Sequence, residues 1–149
     1  MPEENLTNCA FCSSSDIAER TIIRNKLFQA FLTNIPIVPG HLLLCPVRHV
    51  SRFDELLPEE VSALGDLINQ VRQALIKAVD AAGFNYAWNE GEIAGQSVPH
   101  FHLHVVPRKS GDRGIIKYDP REFLYRPGSR EKSPGAELRS LAVLLRKHI

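Results

Sequence analysis

The spacing of apolar positions along the chain changes several times, and each spacing predicts an element. Two short β-rich runs, Thr21–Arg24 and Leu27–Thr33, are divided by the turn-prone Asn25. Asn34-Ile35-Pro36 and then Pro39-Gly40 predict a connecting loop. His41–Pro46 reads as a buried strand whose period of two sets His41, Leu43 and Cys45 on one face and Leu42 and Leu44 on the other. From Pro58 to Ala82 the period lengthens. Val61, Leu64, Leu67, Ile68, Val71, Leu75, Val79 and Ala82 recur at three and four residues, the stripe of an amphipathic helix. Pro58 suits its first turn, Glu59 and Glu60 suit the positive end of its dipole, and Gly83 falls where a C-cap is expected. Alternation returns in Phe84–Asn89 and His100–Val106, and after Ser133-Pro134 a short helix carries Leu138, Leu141, Ala142 and Leu145. These elements predict an α+β domain, an antiparallel sheet with one long helix packed on it and a second helix at the C-terminus.

Composition narrows the class. A chain of 149 residues with 44% apolar side chains can bury one core, and 18 Lys+Arg against 17 Asp+Glu leave a formal charge of +1. That balance argues against a nucleic-acid coat or a membrane-surface protein, and apolar stretches such as Leu42–Val47 are too short to span a bilayer. Met1–Asn5 is acidic with no apolar run after it, so no secretory signal is read and a cytoplasmic location is expected. One segment departs from the balance. Residues 108–132 hold eight Lys/Arg (Arg108, Lys109, Arg113, Lys117, Arg121, Arg126, Arg130, Lys132) against four acids (Asp112, Asp119, Glu122, Glu131), a local charge of +4. It reads first as a solvated surface loop and second as a basic arm near an anionic ligand.

The chemistry concentrates in His100-Phe101-His102-Leu103-His104-Val105-Val106. In a strand, Phe101, Leu103 and Val105 face the core and three imidazoles share the other face, with roughly 6.5–7 Å of rise between neighbours. A lone histidine on a strand is most often structural. Three at this spacing point to a site, because an imidazole near neutral pH can donate, accept, attack or ligate. Upstream, the loop Asn89–Pro99 places Gly91 and Gly95 where the backbone can approach a ligand, and Gln96 and Ser97 add neutral donors. Neither a P-loop nor a Gly-x-Gly-x-x-Gly pattern is present, yet free N–H groups beside imidazoles suit a phosphate-like anion.

These residues resemble the histidine triad motif, His-φ-His-φ-His-φ-φ with φ apolar. Asn89, Gly95-Gln96-Ser97 and the Pro39-Gly40-His41 strand entry fall at that family's spacing. Phe31–Phe53 and Pro107-Arg108-Lys109-x-Gly111-Asp112 are most similar to its fragile histidine triad branch, the dinucleoside polyphosphate hydrolases. The resemblance covers about residues 9–112 of a single domain, 1–149, with 113–149 as a C-terminal extension. It implies an α+β fold with a five-stranded antiparallel sheet, one long helix and a C-terminal helix, assembled as a homodimer. It also implies a catalytic set of His102, His104, His100 and Ser97. His102 is the expected nucleophile, attacking an α-phosphate to form a nucleotidyl-histidine that water hydrolyses. Substrate contacts are expected from His41, Asn89, Gly95 and Gln96, with His41 and His104 on the phosphate oxygens. Relatives carry Asn or Asp for the ribose hydroxyls where this chain has Thr33, so Thr33 or the adjacent Asn34 is expected there. Ile22, Leu27, Phe28, Phe31 and Leu43 wall a base pocket or belong to the core.

Cys9-Ala10-Phe11-Cys12 has the spacing of half a zinc site. His49 and His100 are the expected partners, an arrangement that resembles the galactose-1-phosphate uridylyltransferases and some bacterial triad proteins. The expected cofactor is structural Zn2+, with no organic cofactor; the other reading is a reduced, metal-free pair. Cys45 reads as a small core residue. A nucleotide hydrolase is the leading function. Phosphoramidate hydrolysis, nucleotidyl transfer and a non-catalytic nucleotide-binding module stay open. A cupin-like metal site is disfavoured because no carboxylate follows His104 closely. Neither a membrane nor a nucleic-acid polymer is expected as partner.

Overall fold

Two helical turns, α1 (Ala10–Ser13) and α2 (Ile17–Arg20), lead into a five-stranded antiparallel sheet. This is a computed structural model that describes residues 9–114 and 131–149. The strands are β1 (Thr21–Arg24), β2 (Phe28–Leu32), β3 (Leu42–Pro46), β4 (Gly83–Ala87) and β5 (Leu103–Arg108), in the order β1-β2-β3-β5-β4. Helix α3 (Pro58–Val79) connects β3 to β4, and α4 (Gly135–Arg146) follows the described part of the C-terminal segment. All the neighbouring strands are antiparallel.

The predicted alternation sorts the side chains to two faces. Phe28, Ala30 and Leu32 of β2, Leu42 and Leu44 of β3, and Leu103 and Val105 of β5 form the main core with Leu64, Leu67, Val71 and Leu75 of α3 and Leu138, Ala142 and Leu145 of α4. On the other face Phe31, Leu43 and Cys45 pack with Ile17 and Phe11. Central strands covered on both faces are mostly apolar, and every residue of β2 and β3 is buried; the polar exception, Gln29, accepts from Arg24 and donates to the Phe11 carbonyl.

The structure corrects two boundaries. Helix α3 stops at Val79, where Asp80 takes a left-handed conformation (φ 56°) as its cap; Gly83 instead begins β4. The Ala82 N–H bonds the Arg108 carbonyl at 2.8 Å, so pairing with β5 draws the chain into the sheet before the apolar stripe ends. The triad segment also enters the sheet late, at Leu103. The Phe101 N–H is taken by the Val50 carbonyl (2.6 Å), which ties residues 100–102 to the loop after β3. The entry to β3 is sharp. Gly40 sits at φ 94°, and a Cβ there would lie 3.1 Å from both Leu75 and Pro107, so glycine suits the turn that brings His41 to the start of β3.

Candidate functional site

The register of the sheet builds the floor of the site. Phe31 of β2 pairs with Leu43 of β3, and Leu43 pairs with His104 of β5, so these three lie side by side. Above them opens a cleft of about 350 Å³, lined by His102, His104, Thr33, Asn34 and Ser97, with Phe11, Ile17 and Arg20 from the N-terminal turns and Lys132 from the C-terminal segment. A larger cavity of about 520 Å³ lies between Val38, Val79, Pro107 and Arg113, but no histidine or cysteine lines it.

The hydrogen bonds assign each imidazole its tautomer. His102 Nδ1 is 2.8 Å from the His100 carbonyl, which only accepts, so Nδ1 carries the proton and Nε2 keeps its lone pair. Burial lowers the pKa of His102, and the His100 carbonyl only partly offsets that, so the ring is neutral at neutral pH. His41 is wholly buried. Its Nδ1 accepts from the Ile37 N–H (3.0 Å), so its Nε2–H donates to His104 Nδ1 at 2.9 Å. Neutral His104 then holds its proton on Nε2. The cleft thus has an imidazole lone pair on His102 and an imidazole N–H on His104, with ring centroids 5.1 Å apart.

His100 turns away from this pair. Its Nε2–H donates to the Pro46 carbonyl (2.8 Å), and its Nδ1 lies 3.5 Å from Cys9 Sγ, 3.4 Å from Cys12 Sγ and 3.2 Å from His49 Nδ1. Cys12 Sγ is 3.4 Å from His49 Nδ1, and one ligand atom from each of the four residues falls within 4.8 Å of all the others. Zinc bonded tetrahedrally to sulfur at about 2.3 Å and nitrogen at about 2.0–2.1 Å requires ligand-to-ligand edges of roughly 3.3–3.8 Å, so this donor set fits the ion. The carbonyl on His100 Nε2 orients its ligand nitrogen, and Arg48 holds the turn bearing His49 through Glu60 (2.6 Å) and the Glu55 carbonyl (2.8 Å). Burial brings His100 down to about 4, against the Pro46 carbonyl, which favours the charged ring. Burial and the adjacent Cys9 thiol push Cys12 up to about 11. A divalent cation at the centre would reverse that second balance and favour thiolate.

Several expected site residues take other places. His41 stands behind His104, where full burial keeps it from the phosphate it was expected to contact. The Gln96 amide is taken up inside the loop, accepting from the Gly91 N–H (2.8 Å) and donating to the Ser51 carbonyl (2.9 Å). Gly95 (φ 96°) closes the 3₁₀ turn Glu92–Ala94, with its N–H on the Glu92 carbonyl. Among the described residues, the cleft wall takes Ser97 and Val98 from this loop and leaves out Asn89, Gly95 and Gln96. Of the base-pocket candidates Phe31 and Leu43 line the cleft, whereas Ile22, Leu27 and Phe28 pack in or against the main core.

Sequence reasoning missed Phe11, Ile17 and Arg20 as cleft residues. An aromatic side chain between the two cysteines was the available signal for Phe11; nothing local marked the other two. Arg20 stacks over Phe31 and donates to the Leu32 carbonyl. Of the basic segment, Arg108 pairs with Asp112 (2.7 Å) and Lys132 lines the cleft; Lys117, Asp119, Arg121, Glu122, Arg126 and Arg130 lie outside the described residues.

Comparison with known proteins agrees with this fold. Residues 14–111 match the HIT domain family. The chain is 37% identical over 102 residues to a bis(5'-nucleosyl)-tetraphosphatase (asymmetrical) of Schizosaccharomyces pombe, an alignment covering 68% of this chain and 56% of that protein. It is 42% identical over 107 residues to a bifunctional bis(5'-adenosyl)-triphosphatase/adenylylsulfatase of Arabidopsis thaliana, covering 68% of this chain and 59% of that one. The chain therefore spans little more than half the length of either. A crystal structure of a Zn-bound histidine triad family protein from Mycobacterium smegmatis superposes with a TM-score of 0.67 at 30% identity, covering 95% of this chain and 98% of that one. Since the family match takes in all five strands, the long helix and the whole imidazole row, this chain belongs to the HIT domain family.

Proposed function

We propose that the cleft hydrolyses dinucleoside polyphosphates at the α-phosphate, with His102 as nucleophile. The observation that carries this reading is the tautomer of His102: Nδ1–H is held by the His100 carbonyl, so the lone pair sits on Nε2 in a ring that lines the cleft. In the first step Nε2 bonds to phosphorus and the bond from phosphorus to the bridging oxygen breaks. The electron pair of that bond leaves on the departing phosphate as an oxyanion, and the nucleotidylated ring keeps its Nδ1–H on the His100 carbonyl. In the second step the water oxygen bonds to phosphorus and the proton it gives up passes to solvent. The P–N bond breaks, releasing the nucleoside monophosphate and restoring the imidazole. His104 Nε2–H and the Ser97 hydroxyl supply hydrogen bonds where charge builds on the phosphate oxygens, and such aimed donors are a large part of phosphoryl-transfer catalysis. Thr33 and Asn34 face the nucleoside, and Lys132 adds a positive charge to the cleft. The names of the fission yeast and Arabidopsis relatives support the substrate class.

The four-residue Cys9, Cys12, His49 and His100 set holds a structural zinc ion in this reading, supported by its donor geometry and by the zinc-bound mycobacterial relative. The chain acts as one domain, with 113–149 as its extension, and as a homodimer. Strand β4 is a sheet edge, and the groove beside it, lined by Phe53, Val61, Ile68, Tyr86 and Trp88, leaves Tyr86 and Trp88 each 44% exposed. An apolar patch along an open strand edge suits a second copy paired edge to edge. Among the described residues no helix is long and apolar enough to cross a membrane. Three cysteines outside any disulfide suit a reducing compartment, the cytoplasm.

The test is turnover of diadenosine tetraphosphate by wild type and His102→Ala, followed as AMP release. The reading expects loss of turnover in the variant with AMP binding within about threefold of wild type, since only the bond-making atom has gone. Full activity in His102→Ala removes His102 from the chemistry.

A further inference from the structure

One side chain belongs to both halves of the site. Phe11 lies between Cys9 and Cys12 on α1, and its ring also forms part of the cleft wall. It meets His102 edge to face at a centroid distance of 5.1 Å, His100 at 5.8 Å and Phe31 at 5.4 Å. The ring therefore touches a metal-ligand candidate, the proposed nucleophile and the cleft floor at once.

The ring packs with Ile17, Phe31, Leu43 and Cys45, while the backbone that carries it is a single short turn. Helix α1 has four residues, too few to be stable on its own, and no residue within it is buried. Its internal bonds run from the Cys12 N–H, the Ser13 N–H and the Ser13 hydroxyl to the Cys9 carbonyl, at 3.2, 3.0 and 2.8 Å, and from the Ser14 N–H to the Ala10 carbonyl at 3.2 Å. The Phe11 carbonyl accepts a 3.4 Å bond from Gln29 Nε2. At both ends of the turn side chains from distant segments converge: the Cys9 and Cys12 thiols meet the imidazoles of His49 and His100 at 3.4–3.5 Å. A bound ion would fix both ends of a turn whose middle residue is the cleft wall.

We propose that Phe11 couples the four-ligand metal site to the nucleotide cleft, so that metal occupancy sets nucleotide affinity. This rests on the nucleotide reading above and adds regulation of the same site. With zinc bound, the turn is pinned and the Phe11 ring stands against His102 and Phe31. When zinc leaves, the turn is released, the ring loses its fixed position and the cleft loses an aromatic wall.

The experiment measures AMP binding by calorimetry in a two-by-two design: wild type and Phe11→Ala, each zinc-loaded and zinc-stripped, with zinc content determined in every sample. Stripping wild type is expected to weaken AMP binding about tenfold, the scale of one lost aromatic–base contact. Loaded Phe11→Ala is expected to show a similar loss, and stripping it to add less than about twofold, because contacts in series are not additive. Phe11→Tyr, which keeps the ring, is expected to bind like wild type. If stripping weakens AMP binding equally in wild type and Phe11→Ala, or leaves wild type unchanged, the coupling is overturned while the nucleotide reading stands. If loaded wild type does not bind AMP, both fail. Should chelation unfold the chain, Cys12→Ser, which retains three ligands, replaces the stripped arm and the same comparison decides.

Discussion

Replacing His41 with phenylalanine tests whether a buried imidazole governs chemistry it cannot touch. The side chain stays flat and aromatic but grows by more than a methylene, so some overpacking at this fully buried position adds to the cost. Two bonds disappear: the Ile37 N–H loses its 3.0 Å acceptor on Nδ1, and His104 Nδ1 loses its 2.9 Å donor. A net loss of about 1 kcal/mol per bond, plus desolvation of the groups left behind, gives a destabilisation of about 2–4 kcal/mol. For a chain of this length that corresponds to a fall in Tm of roughly 5–15 °C. The catalytic effect is separate. His41 obliges His104 to carry its proton on Nε2, and without that donor the proton is free to sit on either nitrogen. Removing a transition-state donor outright costs about 100- to 1,000-fold, so loosening one predicts a smaller loss in kcat, about 10- to 100-fold. The assay is AMP release from diadenosine tetraphosphate at saturation, beside a thermal melt. A Tm that falls as expected with kcat within threefold of wild type would refute the tautomer argument and leave His41 a purely structural residue.

Three further outcomes follow from other parts of the molecule. Purified wild-type protein is expected to hold about one zinc per chain after dialysis, and Cys12→Ser to lose Tm and most of that zinc; a folded, metal-free wild type rejects the site. Asp112 accepts from Arg108 (2.7 Å) and from the Lys109 and Gly114 N–H groups, and its carboxyl is held well below the usual range, chiefly by the Arg108 bond acting against burial. A depressed carboxylate stabilises the fold above its unfolded pKa and loses that contribution as pH falls. The Tm advantage of wild type over Asp112→Asn is therefore expected to be complete at neutral pH and to shrink on acidification below about pH 4; an advantage independent of pH contradicts this. Trp88→Glu places a charge in the exposed groove beside β4 and is expected to yield monomers in sedimentation, whereas an unchanged mass moves the interface elsewhere.

Particular residues show how far local reading reaches. The triad motif marked His102 and His104 because alternation in a strand is short-range: whichever strands flank it, residues two apart share a face. The same locality made the cysteine spacing readable as half a metal site, and the choice of His49 and His100 to complete it agrees with the cluster in the structure. Gly83 was misread because a helix end depends on what the next strand pairs with, and Arg108 claims Ala82 before the stripe runs out.

The sequence by itself determined the elements, their buried faces and the imidazole chemistry, because hydrophobic period and side-chain type act over a few residues. Tertiary structure decided which of the two roles expected of His100 its ring is placed for, and where His41 stands. His100 joins the thiols because Val50 holds the backbone beside it and Pro46 takes its second nitrogen. His41 meets His104 because Gly40 turns the chain into β3 and β3 lies beside β5, and Phe11 reaches His102 across 91 positions of sequence. Such contacts depend on chain closure between distant segments, and no local pattern encodes the direction in which a loop delivers its side chains.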